Sequence, residues 1–199
     1  MYHRAIVGLV LLPFLAAEHA RASDAGTTPA SENAMTELFG FQEATPAWRI
    51  IDDGVMGGRS QGTWQLEGGV GVFAGNLSLE NNGGFSSVRS APLAHSPSGA
   101  TGFRLRVKGD GRTYQFRVRT DASFDGASYR AEFTTRDGEW LEIDLALEAF
   151  DAVFRGSVLR DYPPLRGEEV VTVGFLLADK KAGPFQLEVD WIGVLRPGD

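Results

Sequence analysis

The sequence contains no cysteine among its 199 residues. This absence excludes disulfides, thiolate metal ligands, cysteine nucleophiles and a lipidated N-terminal cysteine. Histidine is almost as scarce, because His3 and His19 lie in a segment that we expect to be removed and only His95 remains. One histidine is not enough for a multi-histidine zinc or iron site, and we interpret it as a solvated loop residue. We therefore predict no catalytic residue, no metal and no cofactor.

Basic residues are fewer than acidic ones, and the sequence has no long apolar run. The chain has 19 Lys and Arg residues against 26 Asp and Glu, a net charge of −7. Nucleic-acid binding depends on neutralising phosphates, so an acidic chain of this kind is not expected to bind nucleic acid. The most apolar run, residues 5–17, is shorter than the ~20 residues needed to cross a bilayer. We predict that the mature chain does not span a membrane.

Residues 1–22 are typical of a secretory signal peptide. Arg4 precedes the apolar run, and Ala20-Arg21-Ala22 has the A-x-A form of a cleavage site before Ser23. Residues 23–37 are small and polar and predict a flexible leader. We therefore predict export to the periplasm or the outside of the cell. A membrane anchor, a mitochondrial transit peptide and a cytoplasmic protein that begins at Met35 stay open as alternatives.

The rest of the chain, residues 38–196, reads as one domain made of short strands. Its 25 glycines point to many tight turns, and apolar residues alternate with polar ones, as Phe103, Leu105 and Val107 do with their neighbours. The same period recurs over residues 114–119, 129–134, 141–145 and 185–191, the last with Trp191 in its apolar set. About ten strands without a long helix predict an all-β fold, a two-sheet antiparallel β-sandwich of jelly-roll type.

Turn residues and one apolar run refine this picture. We predict hairpins at Asn81-Asn82-Gly83-Gly84, Gly109-Asp110-Gly111 and Asp137-Gly138, where backbones with positive φ are favoured. Residues 170–177 are apolar almost throughout, which predicts a strand in the middle of a sheet.

The polar positions of these strands carry a set of basic residues that we expect on one side of the same sheet: Arg104, Arg106, Lys108, Arg117, Arg119 and Arg130. One interpretation is a solvated face with cross-strand ion pairs. The other is a docking platform, because guanidinium groups present forked donors to carboxylates, phosphates or sugar hydroxyls. Trp140 is out of phase with the apolar residues of its strand, so it is the best candidate for stacking on a sugar, with Trp64 second.

The adjacent pair Asp52-Asp53 precedes a glycine-rich loop. It could hold calcium or supply half of a glycosidase pair. Neighbouring side chains on an extended chain point in opposite directions, however, so convergence on one ligand is not favoured. The favoured interpretation is turn initiation, with the side chains capping backbone amides. Whether a structural calcium is bound elsewhere stays open.

Several stretches together resemble the complex I intermediate-associated protein 30 family. They are Trp48-Arg49-Ile50-Ile51-Asp52-Asp53-Gly54-Val55-Met56-Gly57-Gly58-Arg59-Ser60, Asn82-Gly83-Gly84-Phe85-Ser86-Ser87-Val88-Arg89, Val107-Lys108-Gly109-Asp110-Gly111-Arg112-Thr113-Tyr114, and Phe154-Arg155-Gly156. The resemblance implies a galactose-binding-domain-like jelly roll and a chaperone-like role in assembling NADH:ubiquinone oxidoreductase. It brings no catalytic residues, and the matching positions are expected only as fold or surface determinants: Asp53, Gly57, Gly58, Gly84, Arg89, Asp110 and Arg155.

These observations lead to one main functional hypothesis and two rivals. The main hypothesis is a non-enzymatic module that binds a protein partner, as an assembly factor does. The first rival is a carbohydrate-binding module of the cell envelope that uses Trp140. The second is a weak hydrolase that uses Asp52 or Asp53. Mitochondrial members of the family work in the matrix, so the predicted export departs from the family pattern.

Overall fold

A computed structural model describes residues 35–42, 47–123 and 125–197 of the chain. The strands are β1 (Met35–Gly40), β2 (Trp48–Asp52), β3 (Gln61–Glu67), β4 (Val70–Leu77), β5 (Ser86–Ser90), β6 (Gly102–Gly109), β7 (Thr113–Arg119), β8 (Ser128–Thr134), β9 (Trp140–Ala146), β10 (Asp151–Phe154), β11 (Ser157–Val158), β12 (Thr172–Leu177) and β13 (Gly183–Leu195). Four 3₁₀ turns occur at Asp53–Met56, Glu80–Asn82, Leu147–Ala149 and Gly167–Glu169. Within these described ranges no helix has the length and apolarity needed to cross a membrane.

The predicted signal peptide lies outside the described residues, as does most of the predicted leader. The end of that leader, residues 35–37, belongs to β1, which pairs with β13 from Met35 opposite Leu195. The first strand of the domain therefore begins three residues before the expected boundary at residue 38.

The strands form two antiparallel sheets. One has the order β3-β4-β13-β6-β9, with β1 also paired to β13, and the other has the order β11-β10-β8-β7-β12-β5-β2. The first is called the six-stranded sheet and the second the seven-stranded sheet. Both the two-sheet sandwich and the central position of residues 170–177 are confirmed, because β12 lies between β7 and β5.

The core lies between the sheets and is built from the predicted apolar alternation. Phe103, Leu105 and Val107 of β6 are fully buried, as are Tyr114 and Phe116 of β7. The rings of Phe103 and Phe116 meet edge to face across the two sheets, with centroids 5.2 Å apart. Since successive side chains of a strand point to opposite faces, the residues between these must lie on the outer faces of the sandwich.

The three predicted hairpins are wrong. The backbone does adopt positive φ at Asn81, Gly84, Gly111 and Gly138. Each of these turns, however, leads from one sheet to the other: β4 to β5, β6 to β7, and β8 to β9. A positive φ tightens a turn in either setting, so the residue types alone do not distinguish a hairpin from a connection between sheets.

The prediction that the six basic residues share one face of one sheet is also wrong. Because the turn after β6 crosses between the sheets, Arg104, Arg106 and Lys108 lie on the six-stranded sheet. Arg117, Arg119 and Arg130 lie on β7 and β8 of the seven-stranded sheet. The six residues are therefore divided equally between two opposite outer faces.

Trp191 is a second exception to the predicted alternation. The register of β13 against β6 shifts between Val189 and Trp191, which places a bulge at Asp190. A bulge inserts one residue and reverses the side to which the following residues point. Ile192 is consequently buried, whereas Trp191 is only half-buried and faces outward, not into the core.

A buried ion pair ties the turn between β6 and β7 to residues 179–184 at the start of β13. The Arg112 guanidinium donates to Asp179 through Nε at 3.0 Å and through Nη2 at 2.6 Å, and it also donates to the Pro184 carbonyl at 2.9 Å. Burial alone raises the pKa of Asp179, but the bonds from Arg112 and from the Lys181 amide outweigh it and lower that pKa. The side chains of the pair are only 10% and 7% exposed, so either one without the other would be a buried charge.

We predict that Asp179→Ala lowers the free energy of unfolding by about 3 kcal/mol, because it leaves the Arg112 guanidinium buried without its counter-ion. The matched control is Asp144→Ala, which breaks the exposed Arg104–Asp144 pair and should cost about 0.2–1 kcal/mol. Urea unfolding followed by tryptophan fluorescence measures both values. Equal losses in the two variants would contradict the assigned difference.

Candidate functional site

The basic residues of the six-stranded sheet are neutralised by carboxylates on the same face. Arg104 forms a two-pronged pair with Asp144, with distances of 2.5 and 2.8 Å. Arg106 pairs with Glu142 at 3.2 Å and with Asp190 at 2.8 Å, and Lys108 pairs with Glu188 at 2.7 Å. This face therefore fits the interpretation of a solvated surface with cross-strand ion pairs.

Trp140 lies on that same face and is covered by two cations. The Arg106 guanidinium lies 5.5 Å and the Lys108 ammonium 5.2 Å from the centroid of its ring. These cation–π contacts occupy the ring that was predicted to stack on a sugar. Trp64, the second candidate, stacks on Trp48 with centroids 4.7 Å apart and meets Phe41 edge to face. Its role as a sugar platform stays a prediction, as does that of Trp140.

The seven-stranded sheet carries a different arrangement, which we call the arginine row: Arg130, Arg117, Arg89 and Arg49. Arg130 on β8 is opposite Arg117 on β7. Arg117 is opposite Gly174 on β12, which is itself opposite Arg89 on β5. Arg89 is opposite Arg49 on β2. Four arginines thus align across five neighbouring strands, with a glycine at the centre, on the outer face of the sheet.

The central members of the arginine row contact neutral acceptors. Arg117 donates to Gln115 Oε1 and to Ser128 Oγ, both at 3.0 Å, and Arg89 donates to the Ser123 carbonyl at 3.5 Å. Next to the row, Arg119 donates to the Gly126 carbonyl at 3.1 Å.

Carboxylates are few around these guanidiniums. Within the part of the chain that the structure describes, the ion pairs of the row are those of Arg130, at 3.8 Å from Glu132 and 3.9 Å from Asp151. Asp121 also attracts Arg89 electrostatically, and Asp121 and Asp125 attract Arg119 beside the row. The row is therefore a line of like charges that nearby carboxylates compensate only in part. Like charges directly opposite each other on neighbouring strands destabilise a sheet.

The pKa values of these arginines reflect their crowding. Burial lowers the pKa of Arg117 to about 10, and repulsion from Arg119, Arg130 and Arg89 adds to the effect. Burial and the charge of Arg119 likewise lower the pKa of Arg89 to about 10. Both groups stay protonated at neutral pH, so the row holds its positive charge in a partly desolvated setting where an anion is attracted more strongly than in water.

Sequence reasoning missed part of this row. Arg117, Arg119 and Arg130 were predicted as binding residues, whereas Arg89 was expected only as a family-motif position and Arg49 was not singled out. The alternation of Trp48, Arg49 and Ile50 is a strand signal that places Arg49 outward. Its alignment with Arg89, however, depends on pairings between strands distant in sequence, which no local pattern reveals.

Asp53 organises the loop that begins the family motif, and the interpretation of amide capping fits its contacts. Its carboxylate is fully buried and accepts bonds from Ser60 N at 2.9 Å, Ser60 Oγ at 2.6 Å, Gly84 N at 2.6 Å and Phe85 N at 3.2 Å. Asp52 accepts from Gly62 N at 2.9 Å and Ser86 Oγ at 2.6 Å. The two aspartates therefore tie the loop after β2 to the segment before β5.

The motif glycines make room for this buried carboxylate. A Cβ on Gly58 would lie 2.3 Å from the Asp53 carboxyl group, and a Cβ on Gly83 would lie 2.5 Å from Asp53 Oδ2. Gly57 and Gly84 have φ values of +89° and +124°, which side chains rarely tolerate. The loop presents Val55 and Met56 to solvent, at 62% and 64% exposure.

The remaining motif positions have local partners. Asp110 accepts from the Tyr114 hydroxyl at 3.0 Å and from the backbone N–H of Gln186 at 2.9 Å, and the second bond ties the turn after β6 to β13. Arg155 forms an exposed ion pair with Asp125.

Residues 58–62 also have the G-x-S-x-G spacing of a nucleophile elbow. Ser60, the central residue, is 5% exposed and donates its hydroxyl to Asp53. His95 lies in an exposed loop. The serine is therefore buried, and its hydroxyl helps to hold Asp53 in place.

Comparison with known proteins places these features in a family. The family model described as complex I intermediate-associated protein 30 matches residues 38–189. A mouse protein named complex I intermediate-associated protein 30, mitochondrial, is 30% identical over 177 residues, covering 78% of this chain and 54% of the mouse protein. The protein of the same name from Drosophila melanogaster is 26% identical, covering 79% of this chain and 62% of the fly protein. The chain thus spans only about half to three-fifths of the relatives' length.

A solved structure with the same fold is the family 11 carbohydrate-binding module from Clostridium thermocellum, in complex with a β-1,3-1,4-mixed-linked tetrasaccharide. The TM-score is 0.63 over 84% of this chain and 98% of the module, at 15% sequence identity. At that identity the likeness bears on the fold alone, and it confirms the galactose-binding-like jelly roll expected from the sequence.

The predicted export to the periplasm or the outside is contradicted by these relatives. Proteins from mouse, fly, Neurospora crassa and Caenorhabditis elegans that match this chain are all named as mitochondrial. The export prediction rested only on Arg4, the apolar run and the A-x-A site within residues 1–22, which lie outside the described residues.

We predict that Asp53→Asn lowers the free energy of unfolding by at least ~2 kcal/mol, because buried amides lose a charged acceptor. Burial alone raises the pKa of Asp53, but the bonds from Ser60, Gly84 and Phe85 outweigh it, and the pKa is lowered. The charged carboxylate therefore stabilises the fold above about pH 4 and loses this effect as the pH falls.

Urea unfolding between pH 3 and 7 measures this difference, which should shrink towards the acid end. The exposed Asp137→Asn is the control and should stay within about 0.5 kcal/mol of the unmodified chain at every pH. A loss for Asp53→Asn that does not depend on pH would contradict the assigned role.

We also predict that Arg89→Gln leaves the free energy of unfolding unchanged or raises it by up to about 1 kcal/mol, because it removes like-charge repulsion within the arginine row. Arg104→Gln is the control and should lower the free energy of unfolding by about 0.2–1 kcal/mol, because this substitution breaks an ion pair. A greater loss for Arg89→Gln than for Arg104→Gln, measured by urea unfolding, would show that the row is a stabilising structural feature.

Proposed function

The chain belongs to the complex I intermediate-associated protein 30 family, and on this basis we propose that it is a non-enzymatic module that binds a protein partner during assembly of complex I. The relatives carry an intermediate of complex I in their names, and protein contact is what association with an assembly intermediate requires. The observation that carries the proposal is the family match over residues 38–189, which includes both the Asp53 loop and most of the sandwich.

The surface chemistry supports docking on the seven-stranded sheet. Like charges directly opposite each other destabilise a sheet, and here two pairs of arginines face each other on neighbouring strands, Arg130 with Arg117 and Arg89 with Arg49. The opposite face has a similar number of basic residues, but they are paired with carboxylates. We therefore propose the arginine row as the docking face and the six-stranded sheet as the solvated one.

The two rival hypotheses receive less support. The carboxylates of Asp52 and Asp53 are bonded to backbone amides and serine hydroxyls, so neither is free to act in hydrolysis. The Trp140 ring is covered by Arg106 and Lys108. We do not propose carbohydrate binding, since the likeness to the solved module concerns the fold.

The compartment follows from the same proposal. We propose that the chain acts where complex I is assembled, which the names of the relatives associate with the mitochondrion.

We predict that cells lacking the chain contain less assembled complex I and accumulate subcomplexes, because an intermediate has lost a binding partner. Native gels with an in-gel NADH dehydrogenase stain measure this, and re-expression of the full chain should restore the wild-type pattern. Re-expression of Asp137→Asn serves as the control for expression level. Normal complex I in the deletion strain would contradict the proposed function.

A further inference from the structure

We propose that the arginine row binds a short acidic peptide segment in extended conformation, with its carboxylates on Arg117 and Arg89. This inference rests on the proposed function, because it names the chemistry of the partner for the same face.

The dimensions of the row fit a short extended segment. Its four arginines occupy β8, β7, β5 and β2, with β12 between β7 and β5. Neighbouring strands lie ~4.8 Å apart, so the row spans ~19 Å. An extended peptide rises ~3.3 Å per residue, so about six residues cover that length and about three of their side chains face the sheet. A single small anion would engage only one or two of the arginines.

No side chain separates the two central arginines of the row. Gly174 lies between Arg117 and Arg89 in register and contributes no side chain. Gly174 itself is buried, so a bound segment would contact the guanidiniums and not the backbone of β12. Thr172, which is opposite Arg119, is 4% exposed, and its buried hydroxyl has no hydrogen-bond partner within the described residues. Buried polar groups are rarely left without partners, so this hydroxyl marks an unsatisfied polar position beside the row.

The charge pattern favours carboxylates over a nucleic acid. Guanidinium groups bind carboxylates through two parallel hydrogen bonds, and Arg104 forms that geometry with Asp144 on the opposite sheet. The chain as a whole carries a net charge of −7, which repels a long polyanion at a distance. A segment with a few carboxylates gains the local attraction of the row with less of this repulsion.

The test measures binding of fluorescein-labelled hexaglutamate to the purified full chain by fluorescence anisotropy at about 50 mM salt. We expect saturable binding that weakens as salt is added, and no binding of hexaglutamine. The double variant Arg89→Gln/Arg117→Gln should weaken hexaglutamate binding at least tenfold. The matched double variant Arg104→Gln/Arg106→Gln, which removes the same charge from the six-stranded sheet, should stay within twofold of the unmodified chain.

A further variant distinguishes recognition by the guanidinium fork from attraction by charge. Arg89→Lys/Arg117→Lys keeps the charge and should still weaken binding several-fold, because an ammonium cannot form two parallel bonds to one carboxylate. Circular dichroism melting of each variant shows that it is folded before its affinity is compared.

Several results would overturn the proposal. These are an absence of hexaglutamate binding, equal losses in the two glutamine double variants, or binding of a twelve-residue thymidine oligonucleotide at least as tight as that of hexaglutamate. Inorganic phosphate that binds at Arg89 and Arg117 without hexaglutamate doing so would also overturn it.

These measurements use only the purified chain, so they are independent of complex I. Hexaglutamate binding together with normal complex I in the deletion strain would retain the peptide site and reject the assembly role. Loss of complex I without hexaglutamate binding would retain the assembly role and reject the peptide site.

Discussion

Burial of alternate side chains between the two sheets decides which residues the molecule can use. Phe103 on β6 meets Phe116 on β7 in the core, and Val88 and Phe175 are buried from the seven-stranded side. Because the strand period is two, fixing these residues inside forces Arg89, Arg117 and Arg130 outside. The outer faces are therefore a consequence of the core, and their chemistry depends on what else the register brings beside each arginine.

The two outer faces differ in how their charges are arranged, although each carries three of the basic residues singled out in the sequence. On the six-stranded sheet the register places Arg104 opposite Asp144 and Arg106 opposite Glu142. On the seven-stranded sheet it places Arg117 opposite Arg130 and Arg89 opposite Arg49. The first arrangement stabilises the sheet and the second weakens it. Natural proteins accept such local costs mainly at functional sites, which is why the arginine row is central to the proposal.

Local patterns in the sequence were sufficient for the fold class, because alternation and turn residues follow from the geometry of single strands. Capping of backbone amides by Asp53 was also predictable from its place before a glycine-rich loop, although its bonds to Gly84 and Phe85 join distant parts of the chain. Sheet membership was not predictable: the turn at Gly109-Asp110-Gly111 has positive φ at Gly111 whether it forms a hairpin or crosses between sheets. The bulge at Asp190 and the alignment of Arg49 with Arg89 depend on pairings between distant strands, and these leave no trace in a local pattern.

A crystal structure of the full chain with hexaglutamate tests the central claim most directly, because it locates the anion instead of inferring its position from affinities. The account predicts extended peptide density across β8, β7, β12, β5 and β2, with carboxylates hydrogen-bonded to Arg117 and Arg89. Peptide density over Arg104 and Arg106 on the six-stranded sheet, with the arginine row empty, would contradict it.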